Sequence, residues 1–132
     1  MRRIVIVFVS CLALAIGVGA YAKKEGSSSG KCKAGKACVC DGKAGCDRTC
    51  EGPGCAFECK GTAPCVFRCQ AGSCTATSSS TGAAALSCPG SGCKMTCTGT
   101  GSCALLACTK DCTAECSGSG ACVNECTDPS CH

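Results

Sequence analysis

The chain has 132 residues, a length that allows one ordinary domain at most, and a formal net charge of +4. It contains 21 cysteines but no tryptophan and only 3% aromatic residues, a composition that excludes a large hydrophobic core. The single histidine is the last residue, His132, which leaves no fixed base for a Ser/His/Asp or Cys/His relay. We therefore predict a protein that is not an enzyme, with no catalytic residue, no cofactor and no metal site.

Residues 1–22 have the pattern of a secretory signal peptide. Arg2 and Arg3 form a basic start, residues 4–20 are almost wholly apolar, and Ala20-Tyr21-Ala22 is a small-x-small cleavage site. A membrane-spanning helix is the alternative, but the apolar run is at the lower limit for crossing a bilayer. A lipid anchor on Cys11 is a weaker alternative, because only a very short apolar run precedes that cysteine. We predict a secreted or periplasmic protein with no membrane span after cleavage.

Cleavage after residue 22 would remove Cys11 and leave twenty cysteines. An even number at this density in an exported chain is typical of a disulfide scaffold. We therefore predict that all twenty are bonded in pairs.

The chain then leads into the cysteine-rich region through a basic segment. Residues 23–31, KKEGSSSGK, predict a flexible Lys/Ser/Gly linker, and residues 32–45, with irregularly spaced Cys32, Cys38 and Cys40, predict an N-terminal cap. The Lys-rich leader would suit an anionic surface, and a solvated leader without a partner is the alternative. No aromatic residue is interleaved among the lysines, so nucleic acid is not an expected partner.

In residues 46–131 the cysteines recur with a period of 19 residues, in alternating units of nine and ten. One column holds Cys46, Cys65, Cys103 and Cys122, with Ala84 at the gap, and a second holds Cys55, Cys74, Cys93, Cys112 and Cys131. A third column holds Cys50, Cys69, Cys88 and Cys126, and Cys108 lies one residue after the position that the period predicts. A fourth holds Cys59, Cys97 and Cys116, with Ser78 at the gap. A register that persists through these gaps predicts stacked coils of constant length.

Paired cysteines enclose three residues whose middle member is mostly apolar and whose flanking members are mostly polar. This alternation predicts a short strand, and the Gly-rich segments that follow predict tight corners. Two strands and two corners make a coil of about 19 residues. We therefore predict an all-β fold, a flattened β-solenoid stapled by disulfides, and an irregular disulfide-rich fold is the alternative. The predicted inward columns are Phe57, Ala76, Met95 and Ala114 on one face, and Phe67, Leu86 and Leu105 between polar Arg48 and Asn124 on the other.

The gaps at Ser78 and Ala84 favour one pairing scheme for the cysteines. These two residues replace cysteines that are neighbours across a single corner, and their loss leaves no other cysteine without a partner. Bridges within a strand are excluded, since residues i and i+4 lie about 13 Å apart and a disulfide needs roughly 4.4–6.8 Å. Bridges between stacked coils, such as 55–74, remain an alternative. The preferred corner scheme is 32–38, 40–46, 50–55, 59–65, 69–74, 88–93, 97–103, 108–112, 116–122 and 126–131.

Metal binding is the main competing chemistry for so many sulfurs. Zinc and copper thiolate sites favour Cys-x-x-Cys and Cys-x-Cys, whereas this chain has no Cys-x-x-Cys and only one Cys-x-Cys, Cys38-Val39-Cys40. Carboxylates such as Glu58 and Glu115 fall on one face, but outward surface charge explains them without catalysis. A thiolate metal store and a small disulfide-rich toxin or inhibitor remain alternatives to a structural role.

Two resemblances carry further expectations. Thr96-Cys97-Thr98, with Thr100, resembles the repeats of disulfide-rich β-helical insect antifreeze proteins, although Lys94 and Glu115 interrupt the threonines. The Cys-x-x-x-Cys/Gly beat of residues 46–131 is similar to cysteine-rich repeat proteins exported by Gram-negative bacteria. That resemblance implies secretion and a repeat fold, not an activity. We therefore expect a secreted, non-enzymatic repeat protein that acts as a structural or partner-binding module, its partner an anionic surface or another protein.

Overall fold

The computed structural model describes residues 28–132, which form eleven short β-strands. The strands are β1 (Ser28–Cys32), β2 (Ala37–Gly42), β3 (Cys46–Cys50), β4 (Ala56–Gly61), β5 (Cys65–Cys69), β6 (Thr75–Ser78), β7 (Ala84–Ser87), β8 (Lys94–Cys97), β9 (Cys103–Cys108), β10 (Thr113–Cys116) and β11 (Cys122–Cys126). The predicted signal peptide, with Cys11, and the first residues of the predicted linker lie outside the described range. Within that range, no helix has the length and apolar character needed to span a membrane.

The strands alternate between two parallel sheets as the chain coils. Odd-numbered strands form sheet A in the order β1-β3-β5-β7-β9-β11, and even-numbered strands form sheet B in the order β10-β8-β6-β4-β2. From β2 onward, strands next to each other in a sheet pair at an offset of 19 residues, as Cys65 does with Ala84 and Ala76 with Met95, except after the bulge in β9; β1 pairs with β3 at an offset of 18. The fold is a β-solenoid of about 5 turns, so the predicted architecture and coil length are confirmed.

The core is a thin layer between the two sheets, filled by one inward residue per strand and by the cysteines at the strand ends. Its largest contact is the stack of Phe57 on Phe67, whose ring centroids are 4.7 Å apart with an interplanar angle of 13°. The buried members of the predicted inward columns are Phe57, Ala76 and Met95 in sheet B and Phe67, Leu86 and Leu105 in sheet A. Both columns are confirmed, with Ala114 only partly buried near the C-terminal end.

Polar residues end the sheet A column, as predicted. Arg48 pairs in register with Phe67, and Asn124 pairs with Leu105. The Arg48 guanidinium turns toward β1, where it donates to the carbonyl oxygen of Ser28 at 3.3 Å and to its hydroxyl at 3.1 Å. A guanidinium therefore closes the apolar column at the N-terminal end.

The solenoid begins earlier than the sequence predicted. The sequence pattern places residues 28–31 in the flexible linker, but they belong to β1, which pairs with β3 from Ser28 opposite Cys46 to Cys32 opposite Cys50. Residues 32–45 complete a regular coil, since β2 pairs with β4 along its whole length. A parallel ladder is held by main-chain hydrogen bonds, so polar residues can form an exposed edge strand that lacks the apolar alternation by which sequence reveals a strand.

Cys108, which lies one residue after the position that the 19-residue period predicts, follows a β-bulge. Asn124 lies opposite Leu105 but Cys126 lies opposite Cys108, so β9 holds one more residue than β11 at this point. Ala107 absorbs that residue with a φ of 57°. Cys108 consequently stays buried and reaches Cys112 across the corner.

Candidate functional site: corners, faces and ends

The twenty described cysteines form ten disulfides, each across one corner, with Cα–Cα distances from 5.8 to 6.5 Å. The pairs are the same as those of the corner scheme. They are Cys32–Cys38, Cys40–Cys46, Cys50–Cys55, Cys59–Cys65, Cys69–Cys74, Cys88–Cys93, Cys97–Cys103, Cys108–Cys112, Cys116–Cys122 and Cys126–Cys131. Most of these cysteines are buried, whereas both members of Cys116–Cys122 are exposed.

Stacking the coils places the bridges in two ladders along opposite edges of the solenoid. The A-to-B ladder, at corners that lead from sheet A to sheet B, runs without a break from Cys32–Cys38 to Cys126–Cys131. From Cys50–Cys55 onward, each bridge places sulfurs within 4.8 Å of a sulfur of the next. Three sulfurs at such distances could hold a metal ion only as thiolates, so a metal would require reduction of these bridges.

The B-to-A ladder, at corners that lead from sheet B to sheet A, is interrupted where Ser78 and Ala84 replace a cysteine pair. Both residues are 2% exposed. Ser80, which is fully buried, connects this corner instead: its hydroxyl donates to the Gly61 carbonyl at 3.0 Å and accepts from the Gly82 amide at 2.9 Å. The sequence revealed the gap but not the role of Ser80. The one indication of that role is that other coils have glycine at the equivalent corner position.

The outward faces of the two sheets differ in chemistry. On sheet A, one outward column begins with Ser29 and Asp47 and continues with four small or apolar residues, Val66, Ala85, Ala104 and Val123. Val66 and Val123 are 37% and 45% exposed. On sheet B, the threonines at 75, 77, 96 and 113 are interrupted by an ion pair between Lys94 and Glu115, with 2.7 Å between Nζ and Oε1.

Ion pairs on the outward faces join residues of successive coils. Arg68 donates to the carboxylate of Asp47 one coil earlier, and this contact raises the pKa of the guanidinium above its ordinary value. Within one strand, the carboxylate of Glu58 accepts from Lys60 and raises the pKa of that ammonium. These pairs are solvent-exposed, so we assign them to solubility and coil register.

The structure keeps apart the residues that could have formed a catalytic pair. Glu58 and Glu115 occupy one outward column of sheet B, but Thr77 and Thr96 lie between them, so they are three strand spacings apart, about 14 Å. His132 is exposed, and its carbonyl oxygen accepts a hydrogen bond from the Asn124 side chain at 3.3 Å.

The last corner is held by side-chain hydrogen bonds as well as by its bridge. The amide and hydroxyl of Ser130 donate to one carboxylate oxygen of Asp128, at 2.9 and 2.6 Å, and lower the pKa of Asp128 below its ordinary value. The Ser130 hydroxyl also accepts from the Asp111 amide at 3.0 Å, which connects this corner to the preceding coil.

The two ends of the solenoid carry opposite charge. The first coil, residues 28–45, holds four lysines and one aspartate, for a net charge of +3. The last described segment, residues 111–132, holds four acidic residues and no lysine or arginine, for a net charge of −4. A shallow cleft at the positive end is lined by Val39, Asp41, Lys43 and Arg48, among others. The sequence showed the basic leader, but only the stacking order of the coils places the acidic residues together at the opposite end of the solenoid.

Comparison of the chain with protein families, curated proteins and solved structures finds no match.

Proposed function

We propose that the protein is an exported, non-enzymatic β-solenoid that serves as a structural or partner-binding module at the cell surface or outside the cell. The observation that carries this proposal is the oxidation of all twenty described cysteines in local bridges that enclose the core. Disulfides form and persist in oxidising compartments, and a small domain with few aromatic residues depends on them. The signal-like pattern of residues 1–22 and the resemblance to exported cysteine-rich repeat proteins support the same proposal.

The surface supports binding rather than catalysis. Among residues 28–132, the single histidine is exposed and the carboxylates of Glu58 and Glu115 contact lysines. The Ser130 hydroxyl donates to the Asp128 carboxylate, and we assign this contact to holding the last corner. A regular scaffold that presents two flat outward faces and two charged ends suits recognition of a partner along its side or at its ends.

Fractionation of cells that express the full chain tests the proposal. We expect the protein in the periplasm or medium, shortened by about 22 residues, and unreactive to a thiol reagent until it is reduced. A matched variant, Ala20→Arg with Ala22→Arg, should block processing while leaving the repeats unchanged. Recovery of the unaltered protein in the cytosol with reactive thiols would contradict export.

The metal-store alternative makes a different prediction for the same material. A thiolate store would release metal to a chelator and expose free thiols, whereas the oxidised module would keep the mass of a chain that has lost twenty hydrogens. Pull-down with oxidised protein, and with reduced and alkylated protein as the matched control, then identifies partners that need the fold.

A further inference from the structure

The ends of sheet A offer unpaired main-chain groups. Within residues 28–132, β1 and β11 each have a neighbouring strand on one side only, so their other sides present free N–H and C=O groups. Both strands are five residues long and both are exposed, apart from the cysteines that close them. Such an edge is a template for a further parallel strand.

Both edge strands are five residues long, as are β3 and β5, and all pairings within sheet A are parallel. If β1 of a second copy continued sheet A beyond β11, Cys122 would lie opposite Ser28, Asn124 opposite Gly30 and Cys126 opposite Cys32 of that copy. This repeats the pairing of β1 with β3, which runs from Ser28 opposite Cys46 to Cys32 opposite Cys50. Glycine at position 30 brings no side chain to the joint that could collide with Asn124.

Charge favours this joint over any contact between like ends. The N-terminal coil carries +3 and the C-terminal segment −4, so head-to-head and tail-to-tail contacts are repulsive while head-to-tail contact is attractive. In the register just described, Glu125 and Lys31 of the next copy fall in the same outward column, one strand spacing apart. Both side chains belong to exposed residues on the described surface.

We propose that the protein associates head to tail, with β1 of one copy pairing in parallel with β11 of the next and sheet A continuing through the joint. This names a second copy as a partner of the proposed binding module, and in that sense it rests on the proposed function. The joint uses different patches on its two sides, so it is open-ended and adds copies along the solenoid axis. Within one copy the Lys31 ammonium lies 3.4 Å from the Glu51 carboxylate. In the proposed register it also faces Glu125 of the neighbouring copy, so these opposite charges favour that register.

Sedimentation velocity of the oxidised protein over a range of concentrations tests the joint. We expect a weight-average mass that rises with concentration at about 20 mM salt and falls at about 500 mM, where the Debye length is only a few Å. Lys31→Glu and Glu125→Lys should each weaken association on the order of tenfold, because each puts like charges opposite one another. A 1:1 mixture of the two variants should associate as the unaltered protein does, since each then meets an opposite charge.

The matched control is Arg68→Glu, which makes the same change of charge in the same outward column but in the middle of sheet A. It should leave association unchanged, and peptide mapping of the ten native bridges checks that every variant is folded. A protein that stays monomeric at all concentrations in low salt would overturn the proposal, as would equal effects of Lys31→Glu and Arg68→Glu or a mixture that fails to associate. Export and full oxidation in the same preparation would stand, so failure of the joint is distinguishable from failure of the proposed function.

Discussion

Replacing Ser78 and Ala84 together with cysteine should install the bridge that the B-to-A ladder lacks. These residues occupy the register positions of the bridged cysteines in the coils on either side, Cys59–Cys65 and Cys97–Cys103. Those two bridges have Cα–Cα distances of 6.1 and 6.5 Å, within the range that a disulfide needs. The three corners also have the same length, so the backbone already holds the two positions in bridging geometry.

The size of the effect follows from the length of the corner. Closing a loop of about six residues removes unfolded-state entropy worth about 2 kcal/mol in the chain-entropy model. Ser78 and Ala84 are already buried, so both new sulfurs would lie in the interior; one replaces the Ser78 hydroxyl oxygen and the other is added to the Ala84 side chain. For a domain near 100 residues this stabilisation corresponds to a rise in melting temperature of about 10 °C.

Thermal unfolding with bridges intact, together with intact mass, measures the outcome. The double variant should lose two more hydrogens on oxidation than the unaltered chain and should melt at the higher temperature. Ser78→Cys and Ala84→Cys alone are the matched controls, each with one free thiol and no stabilisation. If the double variant keeps two free thiols while the other ten bridges form, the register assigned to this corner is wrong.

Three further changes test the corners. Gly99→Ala should lower the free energy of unfolding by about 1–3 kcal/mol, because a Cβ there would lie 2.1 Å from the carbonyl oxygen of Ser80 in the preceding coil. Denaturant unfolding measures this loss, with Thr100→Ala at an exposed neighbouring residue as the control. Limited reduction followed by alkylation and peptide mapping should label the exposed pair Cys116–Cys122 before any buried bridge, and uniform labelling would contradict the assigned burial. Folding lowers the pKa of Asp128 from its ordinary 3.8, so its carboxylate stabilises the last corner above that pH, and the contribution is lost as pH falls through the lower folded pKa. Protection of the amides in residues 127–131, measured relative to their intrinsic exchange rates, should therefore fall below pH 3.8 in the unaltered protein and show no such step in Asp128→Asn.

The repeat made most of the fold predictable. Strict alternation in segments such as 65–69 identifies strands, and the 19-residue beat determines which strands stack, so Phe67 and Leu86 follow as neighbours in the core. The corner pairing followed from chain stiffness, because cysteines four residues apart in a strand are too distant to bond. These inferences depend on local geometry repeated many times, for which sequence is sufficient.

What sequence did not reveal depends on contacts that do not repeat. The sequence did not predict β1, because this strand pairs with β3 through main-chain groups. Ser28, Gly30 and Lys31 are not residues that favour strands. Ser80 was missed because the acceptor of its hydroxyl belongs to the previous coil. The opposed charges of the two ends became a feature of the surface only once the stacking order was known.

Each bridge joins cysteines only four to six residues apart, and this has a consequence for how the chain matures. A chain that enters an oxidising compartment N-terminus first can close every corner as soon as its second cysteine arrives, before the next strand has emerged. Each new strand then needs only the previous coil, 19 residues back, as its template. The bridges can therefore close one after another in chain order, with no search among distant cysteines.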